Sequence, residues 1–356
     1  MDIYQAEMQL SAAKHLRWMP DTIDISAKGI YIDGWVLSVW EDSEQTRFLL
    51  NGKDFAEVIW PVESPDIKAH FNVLPNTNAS RFRCWQPLEP GEMPYENGFL
   101  RFNVTGQFGE HRKSYRTAWF ISDPDLEVAA PSAARIERVI GTNHLGSFKL
   151  GGATTLNRLE QLLFDRFDRP LSTFKSVLDW GCGAGRLTRY LTRRAATVTG
   201  VDIDADNIRG CAETITSAHF QLIDLYPPMP FASSSFDLVI GISVMTHLKE
   251  SVQHAWLAEL NRIVESGGLV LLSIQGMAQS ALYRTSSEQL QAVQRQGILY
   301  TGNNSQLDQV VDATNYYVDV MHSHEYVMAS WSEHFEVLEI IEAIASNQDL
   351  VLMRKR

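Results

Sequence analysis

The sequence is short of three things, and each shortage excludes a class of protein. It holds only 3 cysteines in 356 residues, Cys84, Cys182 and Cys211, an odd and widely spaced set that offers no disulfide framework. It is short of positive charge: 31 Lys and Arg against 43 Asp and Glu leave a formal net charge of −12. No nucleic-acid partner is expected on that balance, because affinity for a phosphate backbone comes mostly from cationic side chains. It also lacks any run approaching the roughly 20 apolar residues needed to span a bilayer. Met1 to Leu16 scatters Asp2, Gln5, Glu7, Gln9, Lys14 and His15 among its apolar residues, unlike a secretory signal. The expectation is a cytoplasmic chain with reduced thiols and no membrane span, in which the sequons at Asn78, Asn103 and Asn303 carry no glycan.

What is present is an ordinary globular composition, 45% hydrophobic and 21% charged, in a chain long enough for two domains. The two halves have different patterns. From Ile23 to Ser122, short β-rich runs are broken by Gly, Pro and Asn about every ten residues, which predicts a β-sandwich or small barrel. Asn51-Gly52 is its strongest turn signal, because a type I′ turn needs positive φ at both central positions. Ser122 to Arg135, with two prolines and two Ala pairs, reads as a linker. We therefore divide the chain into a β-rich accessory domain, 1–130, and a second domain, 131–356.

In the second domain Leu156, Leu159, Leu162, Leu163 and Phe167 have helical spacing, stopped by Pro170. From Ser176 onward strands alternate with helices, which implies right-handed βαβ crossovers and a largely parallel sheet. The last two strands, from Phe335 and from Leu350, have no helix between them and should pair antiparallel at one edge. The polar stretch Ser286 to Asn315 is an insertion before that pair, read either as a substrate lid or as a surface helix and loop.

The informative segment is Val177-Leu178-Asp179-Trp180-Gly181-Cys182-Gly183-Ala184-Gly185-Arg186-Leu187, a strand entering a glycine turn and then a helix. It brings backbone N–H groups to the carboxyl end of a sheet, where α/β proteins bind nucleotide-like ligands. A dinucleotide fingerprint wants Gly-x-Gly-x-x-Gly, but here the glycines alternate and Arg186 stands where the third belongs. Asp179 before the loop would repel a pyrophosphate and attract an amine. A ligand carrying an amine fits better.

Asp179 to Leu187 resembles the first motif of the class I S-adenosylmethionine-dependent methyltransferases. The resemblance implies a Rossmann-like seven-stranded sheet with an antiparallel last strand, preceded here by the β-sandwich-like domain, and S-adenosyl-L-methionine as cofactor. It extends from about Arg135 to Arg356. It implies cofactor contacts from Asp179, Gly181, Cys182, Gly183 and Gly185 in the loop. Asp202 and Ile203 follow the second strand, with Asp202 on the ribose hydroxyls. Asp224 and Leu225 then stand at the adenine edge, and Ser243 beside the sulfonium. Asp33-Gly34-Trp35-Val36-Leu37 with Phe48 to Lys53 is similar to small β-domains beside bacterial glycan-modifying enzymes.

An alcohol acceptor needs a base, and an imidazole titrates near neutrality. His247, in Ser243-Val244-Met245-Thr246-His247-Leu248, is read as base or substrate contact, or else as orienting that loop. His144, before the first helix of the second domain, is read as a second site histidine or as part of a surface loop. Tyr316, Tyr317, His322, His324 and Tyr326 are candidates for substrate contact, with core or rim packing the plainer alternative. His322-Ser323-His324 supplies no third ligand at a recognisable spacing, so no metal is expected. Cys182 has no attendant base and reads as packing. The expected function is O-methylation of a sugar, glycan or hydroxylated small molecule. The alternatives are N- or C-methylation of a small metabolite, and a binding protein that retains the fold without turnover.

Overall fold

The computed structural model describes residues 3–15, 18–37, 46–74, 77–89, 91–92, 94–105, 118–303, 316–345 and 347–356. Part of the polar insertion, 304–315, lies outside the described residues. The chain forms two compact units, Met1–Leu126 with Met277–Ser287, and Glu127–Gly276 with Glu288–Arg356. Among the described residues no helix is long and apolar enough to cross a membrane.

The first unit is built from two four-stranded antiparallel sheets. One contains Trp18–Ser26, Gly29–Val36, Arg81–Pro87 and Glu57–Val62; the other contains Lys53–Asp54, Arg47–Leu50, Phe99–Thr105 and Ala118–Ser122. Alternating apolar residues from each sheet meet face to face. Phe48 of one packs 4.7 Å, centroid to centroid, from Phe82 of the other, and both are buried. Asn51 and Gly52 take φ of 47° and 82° and reverse the chain in two residues, as their sequence predicts.

Three described helices of this unit, Ile3–His15, Pro65–His70 and Met277–Tyr283, have no counterpart in the sequence reading. Ile3–His15 and Met277–Tyr283 pack together, and Gln5 Nε2 donates to Thr285 O at 3.2 Å. The segment Met277–Ser287, assigned from sequence to the second domain, is thus part of the first compact unit.

The second unit holds a seven-stranded sheet. Its strands are β1 (Val177–Trp180), β2 (Val198–Asp202), β3 (His219–Leu222), β4 (Phe236–Gly241), β5 (Val264–Ile274), β6 (Glu336–Ala345) and β7 (Gln348–Arg354). The order is β3-β2-β1-β4-β5-β7-β6. The neighbours from β3 to β5 are parallel, and β7 runs antiparallel to both β5 and β6. Residues on β1 and β4 are buried throughout, as expected for strands covered on both faces. Trp180 packs under the sheet against Trp256, with ring centroids 5.4 Å apart.

The long helix of this unit is Leu145–Phe167, ten residues earlier in its start than apolar spacing from Thr155 implies. Gly151 and Gly152 hide its first turns in the sequence, since glycine disfavours helix interiors. The structure gives Gly152 a packing reason: a Cβ there would lie 2.2 Å from Arg186 O, in the backbone of the glycine loop. Gly152→Ala is therefore expected to destabilise the protein by about 1–3 kcal/mol through overpacking, although alanine is the better helix former. A denaturant titration at constant m-value measures it; an unchanged or raised midpoint would show that the helix is free to shift.

Candidate active site

The sheet order reverses between β1 and β4, so the loops after these two strands diverge and leave a crevice at their carboxyl ends. The glycine loop follows β1. Gly181, Gly183 and Gly185 have φ of 72°, 53° and 73°, conformations that residues with a Cβ rarely adopt. Each is also closely approached. A Cβ on Gly181 would sit 2.4 Å from Val244 Cγ2 of the loop after β4, and one on Gly183 2.8 Å from Val139 Cγ2. The alternating spacing thus serves a tight turn packed on both sides.

Asp202, at the end of β2, pins this turn. Its Oδ2 accepts from Gly183 N at 2.7 Å and its Oδ1 from Asp204 N at 2.9 Å. A carboxylate has about four acceptor positions, so about two remain for a ligand on a side chain that is half-buried. Asp204 caps the next helix, Ala205–Thr214, accepting from Asp206 N and Asn207 N. Arg138 pairs with both Asp204 and Asp206, and Arg135 with Asp206, which holds the helix Ala133–Ile140 beside the glycine loop.

Asp179 on β1 is buried and accepts from Thr188 Oγ1 at 2.5 Å. Burial pushes the carboxyls of Asp179 and Asp202 up to about 6 each, against the pull of their hydrogen bonds. Both folded values lie above the ordinary 3.8. Between those limits the native chain holds protons that the unfolded chain has released, so these groups make unfolding easier as pH rises through that window. We expect the unliganded protein to lose thermal stability from pH 4 to about 6 through them, with a shallower loss in Asp179→Asn. Parallel melting curves test this, and an unaltered slope in the variant would remove Asp179 as a source.

Cys182 is buried, and its thiol and that of Cys211 both approach Gly183 O, at 3.8 and 3.4 Å. The Cys211 thiol first, then burial and the nearby carboxylates, hold Cys182 well above the ordinary thiol value. That environment suits packing and not nucleophilic chemistry.

Beyond β4, Ser243 takes φ of 64°, in the left-handed region that a side chain rarely enters. It is held there from two sides. Its N–H donates to Ser273 Oγ at 2.7 Å, and its hydroxyl donates to Gln348 Oε1 at 3.1 Å. The single turn Met245–His247 follows. His247 Nδ1 lies 3.4 Å from Asp319 Oδ1, within ion-pair distance. The His247 imidazole beside it holds the Asp319 carboxyl below its ordinary value.

Asp319 lies just beyond the polar insertion. Its strand, Val318–His322, pairs antiparallel with Ile298–Asn303 of the insertion, and Tyr300 Oη accepts from Glu250 N, at the start of the helix after the β4 loop, at 3.1 Å. The residues just before Val318 complete a row of rings. Tyr226 and Tyr316 are 5.5 Å apart, Tyr316 and Tyr317 5.6 Å, and Tyr317 and His247 5.8 Å. Tyr316 Oη donates to Leu225 O. Burial, then the charge of Asp202, raises the Tyr317 phenol. The row runs from the loop after β3, where Asp224 is exposed, to His247. Ile203 and Leu225 pack at the edge of the core beneath it.

Other candidates fall elsewhere. His144 is exposed and caps the helix Leu145–Phe167, accepting from Ser147 N at 3.1 Å. His322 is buried among Gln253, Tyr326 and Trp331, and burial lowers it to about 3. This corrects its reading as a substrate contact. Nor do His322 and His324 share a strand face, because His324 opens the helix His324–Ser330. His324 Nε2 pairs with the buried Asp349 at 2.8 Å, which raises the imidazole. Tyr326 Oη donates to Glu250 Oε1 at 2.7 Å, behind the row. Sequence reasoning missed Thr188, Gln348 and Asp319. Only Thr188, one turn past the loop, is near enough in sequence for a local rule to reach it.

The crevice suits a nucleoside bearing an amine. The glycine turn leaves no room for a Cβ, and Asp202 has acceptor positions to spare for hydroxyls. Comparisons agree with this geometry. Residues 177–268 match the family model described as a methyltransferase domain. Over 100 residues the chain is 32% identical to the malonyl-[acyl-carrier protein] O-methyltransferase of Salmonella typhimurium, covering 27% of this chain and 38% of that protein. Over 109 residues it is 32% identical to the ubiquinone biosynthesis O-methyltransferase of Rhizobium leguminosarum bv. trifolii, covering 30% of this chain and 42% of that protein. The match thus spans about two fifths of these relatives' length. Among solved structures, the N-methyltransferase NodS from Bradyrhizobium japonicum in complex with S-adenosyl-l-homocysteine aligns with a TM-score of 0.37 at 17% identity, over 56% of this chain and 86% of that one. Residues 177–268 of the second unit are thus a methyltransferase domain, carried on the parallel strands of its sheet.

Proposed function

We propose that the protein transfers a methyl group from S-adenosylmethionine to a hydroxyl oxygen of a sugar, glycan or other hydroxylated small molecule, with His247 as the general base. The observation that carries this reading is the pairing of His247 with Asp319 at the end of an aromatic row that begins beside Leu225. The cofactor, when bound, supplies an electrophilic methyl group on a sulfonium. Asp202 takes the ribose hydroxyls, Asp224 and Leu225 flank the base, and Asp179 with the glycine turn receives the amino-acid end. Asp319 turns the Nδ1 side of His247 toward itself and stabilises the imidazolium. Nε2 is left to take the acceptor proton as the new O–C bond forms and the S–C bond breaks. The tyrosine row, its rings packed edge to face, supplies apolar edges and phenol groups that suit a sugar or hydroxylated ring. Both named relatives are O-methyltransferases, which supports oxygen as the acceptor atom.

The test is to incubate the protein with methyl-labelled donor and a panel of sugars, glycans, phenols and amines. Label on hydroxyl oxygen is the expected outcome. Label on nitrogen or carbon would overturn the acceptor assignment, and binding of S-adenosylhomocysteine with no transfer to any acceptor would favour a non-catalytic binding protein.

A further inference from the structure

We propose that His254, Glu333 and His334 form a binding site for one divalent transition-metal ion, with Zn²⁺ the best match. The site is separate from the residues assigned to methyl transfer and does not depend on that reading. Its three ligand atoms, one from each side chain, lie within 4.8 Å of one another. They come from two elements, the helix Glu250–Ile263 and the turn Trp331–Glu333 with the residue after it. No sequence spacing reveals them.

The geometry is already close to a coordination sphere. His254 Nδ1 and His334 Nε2 face each other at 3.0 Å. Two nitrogens bound tetrahedrally to zinc at about 2.0–2.1 Å are separated by roughly 3.3–3.4 Å, so the rings need part only by a few tenths of an ångström. His254 Nε2 lies 3.0 Å from Ser330 Oγ. A proton on that nitrogen leaves Nδ1 with its lone pair toward His334, the orientation that an outer partner gives a metal-bound imidazole. The backbone around His334 is pinned from two directions. Asn261, two helical turns beyond His254, donates through Nδ2 to His334 O at 2.7 Å. The Arg356 guanidinium donates to Ser332 O at 2.8 Å and Phe335 O at 3.0 Å. Glu333 is exposed and can rotate inward to close the third position.

Two imidazoles and a carboxylate favour zinc or a neighbouring late transition ion over Mg²⁺ or Ca²⁺, which prefer oxygen alone. An ion held here ties the helix Glu250–Ile263 to the segment that leads into β6. That helix starts directly after the loop carrying His247.

The experiment uses the full chain without an affinity tag, stripped with chelator and titrated with Zn²⁺ by calorimetry, alongside thermal unfolding. We expect one ion per chain and a raised melting temperature. His254→Ala and His334→Ala should abolish binding, and Ser330→Ala should weaken it by about tenfold or more, the usual effect of removing an outer partner. Co²⁺ should give the visible d–d absorption of a four-coordinate complex, lost in His254→Ala. Glu333→Gln keeps the test decisive if a histidine variant fails to fold, since an exposed side chain is not needed for folding; it should bind weakly. Failure of wild type to bind one equivalent, or undiminished binding in both Glu333→Gln and His254→Ala, overturns the proposal.

Discussion

Asp202→Ala is expected to weaken S-adenosylhomocysteine binding by about 10²–10⁴-fold, because two hydrogen bonds to a charged acceptor contribute roughly 1.5–3 kcal/mol each. A second effect acts in the same direction. The carboxylate accepts from Gly183 N and Asp204 N, and its removal leaves both donors without that partner and the glycine turn without its anchor. Asp202→Asn separates the two effects, since the amide oxygen still accepts one bond while the charge and the second acceptor are gone; its affinity should fall between wild type and alanine. His247→Ala should bind the ligand as wild type does. Calorimetric titration of the three variants decides the matter, and undiminished affinity in Asp202→Ala would sink the ribose assignment.

The same carboxylate gives ligand binding a pH dependence opposite in sign to that of stability. Burial sets Asp202 at about 6 in the folded chain. The acceptor form is the ionised one, so affinity should fall by up to about tenfold per pH unit on acidification below that point. The unliganded fold, by contrast, gains stability as these carboxyls take up protons. A protein whose cofactor site costs stability when ready to bind should be stabilised by the ligand most strongly above neutrality. Melting curves with and without S-adenosylhomocysteine across pH 5–8 read both trends at once.

What could be read from the sequence followed the range of each interaction. The glycine turn, Asp179 and the two-residue turn at Asn51-Gly52 are legible because the strain that demands glycine is local. Asp202 is legible because it follows the next strand at a regular interval. The start of the helix at Leu145 is not, because Gly151 and Gly152 look like breakers until the Arg186 carbonyl is known to lie against one of them. The two histidines around Ser323 mislead for a related reason. A strand pattern puts them on one face, but Ser323 caps a helix, accepting from Tyr326 N, and sends His324 to Asp349 while His322 turns into the core. Asp319 is invisible for want of any rule linking it to a histidine on another element. The strand Val318–His322, paired with Ile298–Asn303 and bridged to Gln275 through Met321, carries Asp319 to that histidine.

That pairing leads to the second large expectation. His247→Ala should lower kcat by about 10²–10⁴-fold, the usual contribution of a positioned general base, with cofactor affinity unchanged. Asp319→Asn should lower kcat by about tenfold or more, since its carboxylate touches no substrate and acts by orienting the imidazole and favouring its charged form. Its effect should fall on kcat and leave KM nearly alone. Two readouts distinguish this from simple damage to the fold. Exogenous imidazole should restore part of the activity of His247→Ala, where a base is missing from an otherwise intact crevice, and should do nothing for Asp319→Asn, where the base is present but poorly held. Asp319→Glu should recover more activity than Asp319→Asn, because it keeps the charge that the imidazolium needs. If His247→Ala retained wild-type kcat, the reacting oxygen would have to lose its proton without this residue. The row of tyrosines would then serve only to hold an acceptor that is already a good nucleophile, such as an amine or a carboxylate.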